Sequence, residues 1–303
     1  MRTSLRDLLS SGHPVLADGA MGTMLFALGL GQGGSPEQWN LDHPDRVSQV
    51  HREYIDAGAQ IILTNSFGAN RILLHRHGLD GQVEQINLTA AQLARAEAEA
   101  APVPVAVGGS MGPTGAIMEP IGELSYEAAK TAFEQQARAL AKGGVDAFWI
   151  ETLYDLDEVR AAVEGCRSAA PDLPVVATMT FDTAGHTMMG VAPEAAVEAL
   201  TELGVISLGG NCGNGPAEIH SVLRKMRRSQ SDVVLTAKAN AGVPHLVDGA
   251  PTYDATPEHM AEYALQALEE GAQIIGACCG STPAHIRAMA DALQREPAKR
   301  LLD

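Results

Sequence analysis

The sequence predicts an α/β chain folded as a single (β/α)8 TIM barrel, on three observations. Eight short apolar runs recur along the 303 residues. Each is followed by a polar or glycine-rich stop and then by a segment of helical periodicity, and no low-complexity linker divides them. Near-continuous hydrophobicity marks strands buried on both faces, as in a parallel sheet. One domain is expected over residues 1–303, with its core at about 14–295, because barrels of this length are routinely single domains. A doubly wound open sheet is the rival. Eight units and the lack of an early G-x-G-x-x-G fingerprint count against it.

The runs follow in order, and each ends in residues that a barrel would place at its catalytic mouth. PVLADGA (Pro14 to Ala20) carries Asp18, QIILTNSF (Gln60 to Phe67) carries Thr64, Asn65 and Ser66, and VPVAVGGS (Val103 to Ser110) ends in Ser110. DAFWIET (Asp146 to Thr152) ends in Glu151 and Thr152, and PVVATMTF (Pro174 to Phe181) leads to Thr180 and Asp182. VISLGGN (Val205 to Asn211) ends in Asn211 and Cys212, VVLTAKAN (Val233 to Asn240) in Lys238 and Asn240, and QIIGACCG (Gln273 to Gly280) in Cys278 and Cys279. Between them, PDRVSQVHREYIDAGA, SYEAAKTAFEQQARALAKGGV and PEHMAEYALQALEEGA read as helices, with Ser, Pro or acidic residues at their starts and glycine at their ends. DAGAQII, KGGVDAFWI, ELGVISL and EEGAQII repeat one local solution, a helix stopped by glycine before a strand.

Charge and termini narrow the partners. With 21 basic and 37 acidic residues the net charge is −16, which argues against nucleic acid or an anionic membrane. The N-terminus has two arginines and an aspartate among its first seven residues and no long apolar run, so neither signal peptide nor membrane span is expected, and the location is read as cytoplasmic. Self-association is left open.

Four cysteines (Cys166, Cys212, Cys278, Cys279) in a long, reduced chain do not make a disulfide framework. Cys166, inside the helical DEVRAAVEGCRSAA, reads as core packing. The other three converge on one end of the predicted barrel. Adjacent strand residues point to opposite sides, so Cys278 and Cys279 share a ligand only where the strand ends and bends, which Gly276 and Gly280 permit. A strained vicinal disulfide is one alternative. Three thiolates are also a familiar zinc set, and the fourth position is then water, substrate, His245 or a tyrosine oxygen.

Seven segments together resemble the homocysteine S-methyltransferase family: LADGAMGTML (Leu16 to Leu25), LTNSFGAN (Leu63 to Asn70), GSMGPTG (Gly109 to Gly115), ETLYDLDE (Glu151 to Glu158), GGNCG (Gly209 to Gly213), ANAGVP around Asn240, and GACCGSTPAHI (Gly276 to Ile286). That family includes betaine- and S-methylmethionine-homocysteine methyltransferases and the homocysteine-binding module of cobalamin-dependent methionine synthase. The resemblance runs from about Val15 to Ile286, in the family's order. It implies Zn2+ bound by Cys212, Cys278 and Cys279, with the homocysteine sulfur as the remaining ligand and methionine as product. A thiol titrates near pH 8.5 in water, and a metal that deprotonates it supplies the nucleophile at neutral pH.

The resemblance also implies how the amino acid end is held. Its ammonium requires a carboxylate, for which Glu151 and Asp18 are the candidates. The backbone amides of Gly19, Ala20 and Met21 are candidates for its carboxylate, and Ser66 and Asn211 for support of the ligand or the cysteine loop. A trimethylammonium or sulfonium donor would be drawn to aromatic faces, of which Phe26, Trp39, Phe67 and Tyr154 are the candidates, while Trp149 reads as core. The long loop around Trp39 reads as a candidate lid. Three rival readings are a homocysteine-activating subunit served by a separate methyl-corrinoid protein, a non-catalytic zinc or thiol-binding homologue, and a phosphate-binding barrel lyase or isomerase using GSMGPTG.

Overall fold

The computed structural model describes residues 3–31, 33–247 and 250–295. Its strands are β1 (Val15–Leu16), β2 (Ile61–Leu63), β3 (Ala106–Met111), β4 (Ala147–Leu153), β5 (Val175–Met179), β6 (Ser207–Cys212), β7 (Leu235–Ala239), β8 (His245–Val247), β9 (Ala250–Thr252) and β10 (Ala272–Ala277). Eight of them form one parallel sheet in the order β1-β10-β7-β6-β5-β4-β3-β2. A bridge from Ala17 to Ile61 closes it, with Asp18 N–H donating to Ile61 O at 2.9 Å and Gln60 N–H to Leu16 O at 2.7 Å. The fold is a (β/α)8 barrel, and the open doubly wound sheet is excluded by that closure. Each of the eight predicted runs overlaps one barrel strand. The antiparallel hairpin β8–β9, which the apolar pattern did not announce, follows β7.

Strand alternation sorts the side chains into two cores. One face packs on the helices, where Phe148, Ile150, Ala177, Leu235, Ala237 and Ile275 are buried. The other fills the barrel lumen with Val15, Ala17, Ile61, Leu63, Ala106, Ala147, Trp149, Val176 and Ile274, and Leu5 and Leu8 of the N-terminal helix close the lower end. Trp149 is wholly buried beside Gly108, where a Cβ would stand 2.7 Å from Leu63 Cδ2 and 3.4 Å from the indole. The bulk of Trp149 therefore sits where its neighbour strand has no side chain.

The helices begin and end as their sequences direct. Ser125 caps Tyr126–Gly143, Asp155 caps Leu156–Ala169 and Thr256 caps Pro257–Glu269, each through a side-chain oxygen that accepts an otherwise orphaned N–H. At the other end Gly144 adopts the left-handed conformation (φ +94°) that lets the chain turn into β4, as the repeated helix-glycine-strand segments predicted. No described helix is long and apolar enough to cross a membrane.

Candidate active site at the barrel mouth

Lumen positions change character along the strands. Below they are apolar; at the C-terminal ends they become Ser110, Glu151, Asn211, Lys238 and, just past β10, Cys278. A cavity of about 310 Å³ opens there, lined among others by Asp18, Gly19, Ala20, Met21, Ser66, Phe67, Glu151, Cys212, Lys238, Cys278 and Cys279.

Three sulfurs meet at the cavity wall. The Sγ atoms of Cys212, Cys278 and Cys279 lie within 4.8 Å of one another, and all four cysteines of the chain are free, so the vicinal disulfide is not formed. The Sγ atoms of Cys212 and Cys278 are 2.7 Å apart, whereas tetrahedral thiolates about 2.3 Å from one zinc stand about 3.8 Å from each other, so the donor set suits that ion once these two side chains move apart by about 1 Å. Directly after the pair the chain turns at Gly280 (φ +80°), where a Cβ would lie 2.2 Å from Tyr253 Cγ. Gly276, in contrast, is needed for space: a Cβ there would meet Ala17 Cβ at 2.9 Å. The loop is pinned by Cys278 N–H to Ala239 O (2.7 Å), Ser281 Oγ–H to Cys278 O (2.7 Å) and Ala241 N–H to Cys279 O (2.9 Å). Hydrogen bonds from the neighbouring thiols lower the Cys279 thiol, whereas donation to their neighbours, burial and like charge raise Cys212 and Cys278. Three thiolates this close repel one another, so holding all three deprotonated requires a cation.

Cys212 itself has φ +58°, and Thr152, across from it on β4, has φ +65°. Both are non-glycine residues in the left-handed region, costly enough to need external support. Asn211 supplies it. Wholly buried, it accepts from Thr152 N–H (2.9 Å) and Thr178 Oγ–H (2.8 Å) and donates to Thr152 Oγ1 (2.7 Å), while Thr180 Oγ–H binds its carbonyl (2.9 Å).

The two carboxylates differ. Asp18 accepts from Lys238 Nζ at 2.8 Å and from Leu63 N–H at 2.7 Å, and burial pushes its carboxyl up against the pull of the lysine. Lys238 is 2% exposed, its Nζ 5.6 Å above the Trp149 ring, and Asp18 and Glu151 together hold its pKa up despite burial. Glu151 accepts only from Ser110 Oγ–H (2.6 Å) among the described residues, and burial raises it to about 7. Ser66 sits one bond further out, donating to Ser110 O at 2.7 Å.

The model of the family described as homocysteine S-methyltransferase matches residues 15–293. The chain belongs to this family. Methionine synthase of Mycobacterium tuberculosis is 35% identical over 305 residues, and that of Mycobacterium leprae 34% over 295, covering 96% and 93% of this chain. The chain spans about a quarter of the length of these two relatives. Among solved structures, the homocysteine methyltransferase MmuM from Escherichia coli, metallated form, superposes with a TM-score of 0.81 at 27% identity, covering 95% of this chain and 99% of that one.

Within this methyltransferase family fold, the predicted residues are distributed unevenly. The three cysteines, Asp18, Gly19, Ala20, Glu151, Ser66 and Phe67 line one cavity, and Asn211 stands behind it. Three of the aromatic candidates do not line it. Trp39 is buried in the helix-facing core with His43 at its edge and Arg46 over its ring, because Glu37, Asn40 and Asn65 tie its loop to the β2 loop. Phe26 is 53% exposed on the outer side, and Tyr154 lines a neighbouring depression with Met188 and Met189. His245 is exposed and outside the sulfur cluster, whereas the ring of Tyr253 packs against Gly280, next to Cys279. Lys238, Ser110 and Thr152 were marked in the sequence only as strand ends. A lysine inside VVLTAKAN was the available signal, since a cation in an apolar strand requires a partner.

Proposed function

We propose that the chain is a zinc-dependent homocysteine S-methyltransferase that produces methionine. The observation that carries this reading is the meeting of three free thiols with a cavity that Glu151 also lines, with only one of its carboxylate oxygens taken by Ser110. Zinc held by Cys212, Cys278 and Cys279 supplies the positive charge that keeps the homocysteine sulfur a nucleophilic thiolate at neutral pH. Glu151 receives the substrate ammonium, oriented by Ser110. Ala20 N–H already donates to Ser281 Oγ at 3.0 Å, so the amides of Gly19 and Met21, on the same cavity at the start of the helix Met21–Ala27, are the ones that suit the substrate carboxylate. Asn211 keeps Cys212 in its left-handed conformation, so that the sulfur stays at the cavity wall.

The donor is read as a small cation, a sulfonium such as S-methylmethionine or the trimethylammonium of betaine. Asp18, Glu37, Glu151 and three thiols against one lysine make the cavity electronegative, and Phe67 offers an aromatic face. A methyl-corrinoid protein as donor is the second reading, favoured by one observation. Phe26, Ile117, Ile121, Met188 and Val243 are exposed large apolar side chains on segments that follow the C-terminal ends of the strands.

The test is metal content together with methionine formation from homocysteine, with betaine, S-methylmethionine, S-adenosylmethionine, dimethylsulfoniopropionate and methylcobalamin offered in turn. Zinc near one per chain with turnover on a sulfonium or betaine supports the first reading. Turnover only with methylcobalamin supports the second, and metal-free, reduced protein that makes methionine contradicts both.

A further inference from the structure

Lys238 is a buried cation that lines the same cavity, 2% exposed. Its Nζ binds Asp18 Oδ1 at 2.8 Å, and Leu63 N–H occupies Asp18 Oδ2 at 2.7 Å. Both oxygens of Asp18 are engaged inside a residue that is 2% exposed. Glu151 offers the contrast: Oε1 takes Ser110, and Oε2 has no partner among the described residues while remaining accessible from the cavity. Register explains the arrangement. Lys238 pairs with Asn211 on one side and Gly276 on the other, so its stem rises through a lumen level where β10 has no side chain, and its ammonium reaches across to β1.

We propose that Lys238 is a positioning residue that decides which carboxylate reads the substrate. By occupying Asp18 it leaves Glu151 as the single acceptor of the homocysteine ammonium, and thereby fixes one orientation of the sulfur toward the three cysteines. The proposal rests on the homocysteine reading above. An ammonium bound at Asp18 would lie beside β1 and β2 instead of β4 and would carry the chain of the substrate to a different place. Removing Lys238 alone frees a buried carboxylate to compete, whereas neutralising Asp18 and Lys238 together removes the pair without leaving an unpaired charge.

The experiment is calorimetric titration of zinc-loaded protein with L-homocysteine and with 4-mercaptobutyrate, which has the same thiol and carboxylate but no ammonium. Wild type is expected to prefer homocysteine by about tenfold or more, the worth of one hydrogen bond between charged groups. Glu151→Gln is expected to abolish that preference, and Asp18→Asn/Lys238→Met to keep it within about threefold. Glu151→Gln/Lys238→Met is expected to regain part of it, because Asp18 is then free; a merely structural lysine would not move this ratio. Should the Asp18→Asn/Lys238→Met protein not fold, Asp18→Asn/Lys238→Gln replaces it. Loss of the preference in the folded Asp18/Lys238 double variant overturns the inference while wild-type binding leaves the substrate reading standing. A zinc-loaded wild type that binds neither thiol overturns the substrate reading and this inference with it.

Discussion

Asn211 and Thr152 are joined by two hydrogen bonds, Thr152 N–H to Asn211 Oδ1 at 2.9 Å and Asn211 Nδ2–H to Thr152 Oγ1 at 2.7 Å. They bind β6 to β4 across β5, next to the residues whose backbones are left-handed, Thr152 and Cys212. The pair therefore holds two strained positions with one side chain. Asn211→Ala is expected to lower zinc affinity about 10- to 100-fold, the usual effect of removing support behind a metal ligand. It is also expected to cost about 1–3 kcal/mol of stability, because the buried partners lose their bonds. Competition with a chromophoric chelator and a denaturant titration measure the two effects.

The cysteines divide cleanly. Cys212→Ala, Cys278→Ala and Cys279→Ala are each expected to leave zinc well below one per chain and to abolish turnover. Cys166 is wholly buried with its sulfur 3.6 Å from Met111 Sδ, far from this role. Cys166→Ala is expected to keep zinc and to lose about 1–2 kcal/mol, the cost of a small cavity. Zinc retained at one per chain in all three mouth variants would contradict the site.

Much of this was legible in the sequence, and the reason is the barrel itself. A parallel strand buried on both faces is a short apolar run, and its last polar residue marks the mouth, so Glu151, Cys212 and Cys278 are found by reading run ends. The Asp18–Lys238 pair was not legible, because it joins β1 to β7 and nothing local to either strand records their meeting at 2.8 Å. The left-handed backbone of Cys212 was hidden too, since a cysteine carries no conformational signal of the kind glycine does at Gly280. The burial of Trp39 was not legible for a related reason: an aromatic in a glycine-rich loop looks exposed, and the ties made by Glu37, Asn40 and Asn65 join segments distant in sequence.

Glu151 gives a pH dependence. Burial raises its carboxyl to about 7 from 4.5, so near neutrality the folded protein holds a proton that the unfolded chain has released. Stability from this group is full below the unfolded value and is lost as pH rises through about 7. Relative to Glu151→Gln, ligand-free wild type is expected to lose melting temperature between pH 5 and 8. Homocysteine recognition runs the other way: preference over 4-mercaptobutyrate is expected to rise through about pH 7 in wild type and to stay flat in Glu151→Gln. A flat wild-type profile would remove the ammonium role from Glu151.

His51 gives the opposite sign. It is wholly buried on the helix Pro44–Asp56, both ring nitrogens lack partners among the described residues, and burial lowers it to about 4 from 6.5. The unfolded chain takes up a proton that the folded one refuses, so stability falls as pH drops from about 6.5 toward 4. The loss is on the order of 3 kcal/mol. His51→Leu is expected to flatten that part of the profile in chemical denaturation at pH 4.5 and 7, and an unchanged difference between the two pH values would sink the assignment.

Ligation of the substrate sulfur by the metal is the central claim, and cobalt substitution reads it most directly. Protein loaded with cobalt in place of zinc is titrated with L-homocysteine while sulfur-to-metal charge-transfer absorption is followed. The absorption is expected to rise to a plateau at one homocysteine per chain as a fourth thiolate joins Cys212, Cys278 and Cys279. Saturable homocysteine binding by calorimetry with no change in that absorption would contradict it.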